Sequence, residues 1–159
     1  MKNIMIKDTF HVVDHPLIKH KLSIMRDKII RIYWADPLPV DDAIESDESL
    51  CSGVYYITRV FNGHETSRYI GKASNTIRER LKEHRKEWLH RVRGQILVRM
   101  GTITYPKDAD ADIIDHAESA LIYEHKDILV DNTDKRNSYS YSELYQVQNT
   151  GNIGELKDK

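Results

Sequence analysis

The sequence predicts an α/β (α+β) fold, a small three-stranded antiparallel sheet flanked by helices, from its hairpin signature, two helical stretches and one further strand. Gly53-Val54-Tyr55-Tyr56-Ile57-Thr58-Arg59-Val60-Phe61 is rich in β-branched and aromatic residues, stops at Asn62-Gly63, and is answered by Ser67-Arg68-Tyr69-Ile70-Gly71. Asn-Gly between two such runs marks a hairpin. Residues 76–93 contain no Gly or Pro and place Ile77, Leu81, Trp88 and Leu89 on one helical stripe, with Ser74 or Asn75 as the cap. Residues 95–105 suggest a third strand with a bulge near Gly101, because their apolar residues are spaced irregularly around that glycine. Residues 110–126 repeat the helical pattern with Ile113, Ile114, Ala117, Leu121 and Ile122 as the apolar side. The order is therefore strand, strand, helix, strand, helix.

A chain of 159 residues suits one compact core with appendages. The sequence divides into an N-terminal appendage over 1–31, an acidic connector over 32–50, a principal domain over 51–145 and a C-terminal tail over 146–159. The connector is assigned by charge: from Ile32 to Thr58 there is no Lys or Arg, while Asp36, Asp41, Asp42, Glu45, Asp47 and Glu48 gather beside Pro37 and Pro39. The lone Cys51 excludes an intramolecular disulfide and a thiolate metal cluster. No apolar run approaches the ~20 residues of a membrane span, and no signal-peptide pattern opens the chain, so a cytoplasmic protein without a membrane partner is expected.

Net charge is −1, a poor omen for a polyanionic partner. The charge is unevenly spread, however. Between Arg59 and Arg99 eleven Lys/Arg face four Asp/Glu, a local +7, and the remaining 13 basic and 21 acidic residues sum to −8. Positive charge thus gathers where the hairpin and first helix lie.

Period-two alternation puts Tyr55 and Ile57 on one face of the first strand and allows Tyr55 and Tyr69 to meet across the hairpin. Arg80 and His84, four residues apart, share a helix face. Glu118 stands in a mostly apolar helical stretch, where a buried carboxylate needs a partner and a metal ion would provide one. Taken singly, such tyrosines usually pack, such Arg and His usually face solvent, and such a Glu usually does nothing.

As a set in this order, these residues resemble the GIY-YIG nuclease family. Gly53-Val54-Tyr55 matches its first motif with Val for Ile, and Tyr69-Ile70-Gly71 matches the second. Arg80 and His84 match its helical pair; Arg80 is preferred to Arg78 because only Arg80 has a His four residues later. Glu118 matches the glutamate of its second helix, and Asn132, with Asn137 as the competing position, the asparagine that follows. The resemblance covers 51–132 and implies a metal-dependent endonuclease acting on nucleic acid, DNA rather than RNA. It implies catalytic roles for Tyr55, Tyr69, Arg80, His84, Glu118 and Asn132. Glu118 would hold a divalent ion, Mg²⁺ by its preference for hard oxygen ligands and retained waters. Tyr55 would be the general base or its relay, Tyr69 would position water or phosphate, Arg80 would neutralise charge on the phosphate, and His84 would support proton transfer. Lys72, Arg78, Arg85 and Lys86 are the expected phosphate contacts.

Residues 10–28 resemble the beginning of uracil phosphoribosyltransferases. The likeness ends there, and the Gly-rich loop that such enzymes need to grip a phosphoribosyl pyrophosphate is missing, so no transferase activity is expected. Two other readings remain: a nucleic-acid-binding module that does not cut, and a fusion carrying a transferase remnant.

Overall fold

The computed structural model describes residues 28–136 and 145–159. Its strands are β1 (Ile29–Trp34), β2 (Leu38–Pro39), β3 (Gly53–Phe61), β4 (His64–Ala73), β5 (Gln95–Tyr105) and β6 (Gln146–Gly151). Its α-helices are α1 (Val40–Glu45), α2 (Ile77–Glu87) and α3 (Ala111–Glu124), with 3₁₀ turns at Asp47–Leu50 and Leu89–Arg91. The mixed α+β class is as expected, but the sheet has six strands rather than three. They run β4-β3-β5-β1-β6, with β2 beside β5. All pairings are antiparallel except β1 with β6.

The hairpin forms as its turn residues dictate, Asn62 and Gly63 both taking positive φ (50° and 77°), as a tight two-residue turn requires. Strand β5 has the expected bulge, but it does not fall at Gly101, through which the strand pairs regularly. Gly101 is small because a side chain would strike Trp34 and Val54, each with an atom 2.8 Å from the added carbon. Instead, Arg31 pairs with Tyr105 and Ile32 with Ile103, which leaves Thr104 as the extra residue. A second bulge falls at Arg68, between the pairs Ile57 with Tyr69 and Thr58 with Ser67.

Alternation along the strands builds two cores, one on each sheet face. Val54, Tyr56 and Ile70, with Ile30, Ile32, Trp34 and Val147, pack against Ala117 and Leu121 of α3. Tyr55, Ile57, Val98 and Met100 pack against Ala43 and Ile44 of α1 and Ile77 and Leu81 of α2.

The stretch 32–50 is therefore not an exposed connector. Ile32, Trp34, Ala43, Ile44 and Ser49 are buried, while Asp41, Asp42, Asp47 and Glu48 stand in solvent at the first turns of α1 and the following 3₁₀ turn. Acidic residues there suit the partial positive charge of a helix N-terminus. The tail is likewise part of the sheet. Asn149 of β6 accepts from Trp34 Nε1 at 2.9 Å and donates through Nδ2 to the Lys157 carbonyl at 2.8 Å, and Leu156 is buried beneath. Residues 10–27 of the transferase-like segment, Asn137 and the stretch 137–144 lie outside the described residues.

Strand β4 is the sheet edge nearest the sequence motifs, and its outer side is partnered by the loop after α3. The Asp131 N–H donates to the Arg68 carbonyl at 2.9 Å. The Asn132 carboxamide then accepts from the Ile70 N–H at 2.9 Å and donates to the Ile70 carbonyl at 2.8 Å, imitating a strand. Asn132→Ala leaves both buried peptide groups unpaired and should cost about 2–6 kcal/mol, at ~1–3 kcal/mol per group. Urea denaturation checks this; a loss below ~0.5 kcal/mol would mean that Asn132 does not hold the edge.

Candidate functional site

The two tyrosines of the tripeptides meet diagonally across the hairpin, Tyr55 opposite Gly71 and Tyr69 opposite Ile57, with ring centroids 6.2 Å apart. Gly71 makes room for this arrangement. A β-carbon there would lie 2.4 Å from the Tyr55 hydroxyl and 2.6 Å from the Tyr69 ring, so the phenol occupies the space a side chain would fill. Helix α2 starts one short loop beyond β4. Its cap is Thr76, next to the two expected residues, whose side chain accepts from the Glu79 N–H at 3.2 Å. One helical turn then separates Arg80, half-exposed and paired with Glu83, from His84, which is buried.

His84 has both ring nitrogens engaged. Trp88 Nε1 donates to His84 Nδ1 at 3.0 Å, and His84 Nε2 lies 2.7 Å from the Tyr55 hydroxyl. An indole N–H can only donate, so Nδ1 carries no proton and the neutral ring bears its proton on Nε2. His84 therefore donates to the Tyr55 oxygen. Burial, assisted by the Arg80 charge, pushes the imidazole down to about 4, which keeps it neutral at physiological pH. The Tyr55 side chain is fully buried, and that burial, with the neighbouring Tyr69, raises its phenol far above the ordinary value; Arg80 pulls in the opposite direction. Tyr69 is also raised by burial but remains partly exposed.

Across β4 the chemistry changes from aromatic to ionic. Ile70 contacts the α3 core, and Lys72, on the same side of the strand, forms an ion pair with Asp115 of α3. Lys135 Nζ lies 2.9 Å from the same Asp115 oxygen and 2.7 Å from Glu118 Oε2. Glu118 is 8% exposed, and it stands where two clefts meet. One, of about 340 Å³, is lined by Lys72, Thr76, Glu79, Arg80 and Glu83 as well as Glu118; the other is lined by Tyr69, Lys72, Asp115, Asn132 and Lys135 as well as Glu118.

Tyr55, Tyr69, Arg80, His84 and Glu118 are thus gathered around the edge strand, and Asn132 is held beneath them. The four expected phosphate contacts are placed differently from one another. Lys72 is engaged by Asp115, Arg85 forms an exposed ion pair with Asp41 at 2.5 Å, and Lys86 is exposed on α2. Arg78 faces away from the cleft chemistry: it donates to Ser49 Oγ at 3.1 Å and the Ser46 carbonyl at 2.9 Å, binding α2 to the turn after α1. Three participants escaped the sequence reading. Asp115 lies three residues before Glu118 and Trp88 four after His84, both spacings that share a helix face; Lys135 had no such signal, because its place depends on how Asn132 docks.

Among the described residues no three His, Cys, Asp or Glu side chains converge as a metal-ligand set, and no helix is long and apolar enough to cross a membrane. The donor set at the clefts, Glu118 with Asp115 beside it and Glu79 and Glu83 on the α2 side, offers carboxylate oxygens only, which fits a hard ion that keeps most of its waters and does not fit zinc, which takes several nitrogen or sulfur ligands. No protein-family model, curated protein or solved structure matches this chain.

The buried neutral histidine carries a stability consequence. Its folded-state value lies below its unfolded one, so its contribution is complete above pH ~6.5 and is lost as pH falls toward 4, where the unfolded chain alone takes up a proton. From pH 7.5 to 5 the wild type should lose up to ~2 kcal/mol through this group, as 1.36 kcal/mol per pH unit of separation dictates. Urea denaturation at both pH values should show a shallower dependence for His84→Gln. Equal slopes in the two proteins would contradict the assignment.

Proposed function

We propose that the chain is a metal-dependent endonuclease of the GIY-YIG type, hydrolysing phosphodiester bonds of DNA. The observation that carries this reading is the convergence of Tyr55, Tyr69, Arg80, His84 and Glu118, from four different elements, on adjoining clefts at one sheet edge. Packing alone does not call for a guanidinium, a neutral imidazole and a nearly buried carboxylate to share that edge.

In this reading the scissile phosphate lies in the cleft between Arg80 and Glu118. The Arg80 fork neutralises charge that grows on the phosphate oxygens, and its ion pair with Glu83, being exposed, yields readily. Glu118 would hold a hard divalent ion, which when bound would supply Lewis-acid stabilisation and more acidic water. Tyr69, which lines the cleft, orients the attacking water or a phosphate oxygen. Tyr55 lies behind it and holds Tyr69 in place rather than acting as base or relay, because burial keeps its phenol protonated at neutral pH; the attacking water gives up its proton to solvent through the open cleft. His84 acts on Tyr55 as a fixed N–H donor. A proton cannot pass through the ring to solvent, since Trp88 occupies Nδ1 with a group that has no acceptor. Asn132 contributes by holding the edge strand, and Lys86, exposed on α2, reaches a flanking phosphate.

The test is conversion of supercoiled plasmid to nicked circles in Mg²⁺ or EDTA. Wild type should nick only with metal, and Glu118→Gln and Arg80→Ala should each fall by ~10²–10³, the range for removing a group that stabilises transition-state charge. Tyr55→Phe should fall by a similar factor because it breaks the link between His84 and the cleft. Wild-type protein that binds the plasmid without cutting it, in any divalent ion, would replace this reading with that of a binding module.

A further inference from the structure

Lys135 is held in a way that ordinary surface lysines are not. Its backbone φ is +61°, a left-handed conformation uncommon for a residue with a side chain. The loop that imposes it is anchored on both sides of the turn, by the Asn132 carboxamide on Ile70 and by Arg136 Nη2 on the Lys126 carbonyl at 2.7 Å. The outcome is an ammonium 2.7 Å from Glu118 Oε2 and 2.9 Å from Asp115 Oδ1, between the two carboxylates.

We infer that Lys135 is a built-in counter-ion of the metal site, competing with the divalent ion for Glu118 and setting how tightly this chain binds metal. The inference rests on the reading of Glu118 as the metal ligand. Charge arithmetic supports it: Lys72, Asp115, Lys135 and Glu118 already sum to zero, so an added divalent ion gains no net attraction from the cluster while Lys135 stays in place. Two cations within ~3 Å of one nearly buried carboxylate repel more strongly than they would in open water. Lys135 must therefore leave before the metal can enter. It has the means, since its four-carbon stem is flexible and its side chain is 30% exposed at the mouth of the cleft. Asp115 does not compete for the same role, because Lys72 remains to neutralise it. Glu118, by contrast, has Lys135 as its only ion-pair partner among the described residues.

Removing the ammonium should then leave one nearly buried carboxylate demanding a cation. Lys135→Met and Lys135→Gln, the latter keeping a neutral hydrogen-bond donor, are titrated with MnCl₂ and free Mn²⁺ is read by electron paramagnetic resonance. Both variants should bind Mn²⁺ about ten-fold more tightly than wild type, the size expected for a partly buried ion pair, while Lys135→Arg should stay near the wild-type value. Adding Glu118→Gln to either should abolish the gain. Thermal melts give a second readout: MnCl₂ should raise the midpoint of both neutral variants more than that of wild type. An Mn²⁺ affinity unchanged or weakened in both neutral variants overturns the inference, whether or not wild type binds detectably. If that happens while plasmid nicking still depends on Glu118 and metal, the inference fails alone. If Glu118→Gln alters neither Mn²⁺ binding nor nicking in any background, the reading of Glu118 falls with it.

Discussion

Two hydrogen bonds between the Asn132 carboxamide and the Ile70 peptide govern the site more than any other contact. They are short-range in space but join residues far apart in sequence, and they decide which course the chain takes after α3. Without them the edge of β4 would present a row of unpaired backbone groups. With them the loop passes beneath the clefts, and Lys135 arrives on Glu118. Asp131 reinforces the same docking from the neighbouring bulge, where its carboxylate accepts from Arg68 Nη2 at 3.0 Å. The bulge matters here because the extra residue turns the Arg68 carbonyl toward the loop, where the Asp131 N–H meets it.

Strand β4 then works as a partition between two kinds of chemistry. Its alternate residues Tyr69 and Gly71 belong to an aromatic half, shared with Tyr55, His84 and Trp88 on the α2 side. Ile70 and Lys72 belong to an ionic half, shared with Asp115, Glu118 and Lys135 on the α3 side. The aromatic half is fixed and electrically neutral, because every polar atom in the chain from Trp88 to Tyr55 has one permitted hydrogen-bond role. The ionic half is adaptable, because lysines on long stems can exchange partners without disturbing the backbone. If the site admits an ion and a polyanion, as proposed, this division serves it: the aromatic half need not move when charges enter beside it.

The sequence displayed the hairpin, α2, β5 and α3 plainly: Asn62-Gly63 marks the turn, and both helices show an apolar stripe, although α2 is capped by Thr76 rather than by the expected Ser74 or Asn75. It also displayed the helical pairing of Arg80 with His84 and the isolation of Glu118. Charge concealed the rest. Ile30, Ile32 and Trp34 alternate as a buried strand should, but β1 is followed by so many acidic residues that the segment resembled a solvated linker. Strand β6 has only Val147 as an apolar inward residue, with Asn149 beside it; that asparagine is buried because Trp34 and Lys157 satisfy it, which no local pattern reveals. Lys135 was illegible for the same reason, its role being set by where Asn132 docks on β4.

The basic concentration from Arg59 to Arg99 also changes meaning once the fold is known. Its local +7 is not a free positive face. Arg99 is 2% exposed and locked to Glu65 at 2.5 Å, Arg68 is tied to Asp131, and Arg78 serves carbonyls. Those three are structural charges: the Arg99 guanidinium is buried with its partner, and Arg68 and Arg78 hold the loops that they bind. Arg80 with Glu83 and Arg85 with Asp41 are different: exposed pairs contribute ~0–1 kcal/mol, so a phosphate can replace the carboxylate at little cost. The groups able to meet a polyanion are therefore clustered on α2, beside the cleft, where Lys82 and Lys86 are also exposed. On the proposed reading, a nucleic acid directed there by α2 would be brought to Arg80 first, and only afterwards to the carboxylate that Lys135 covers.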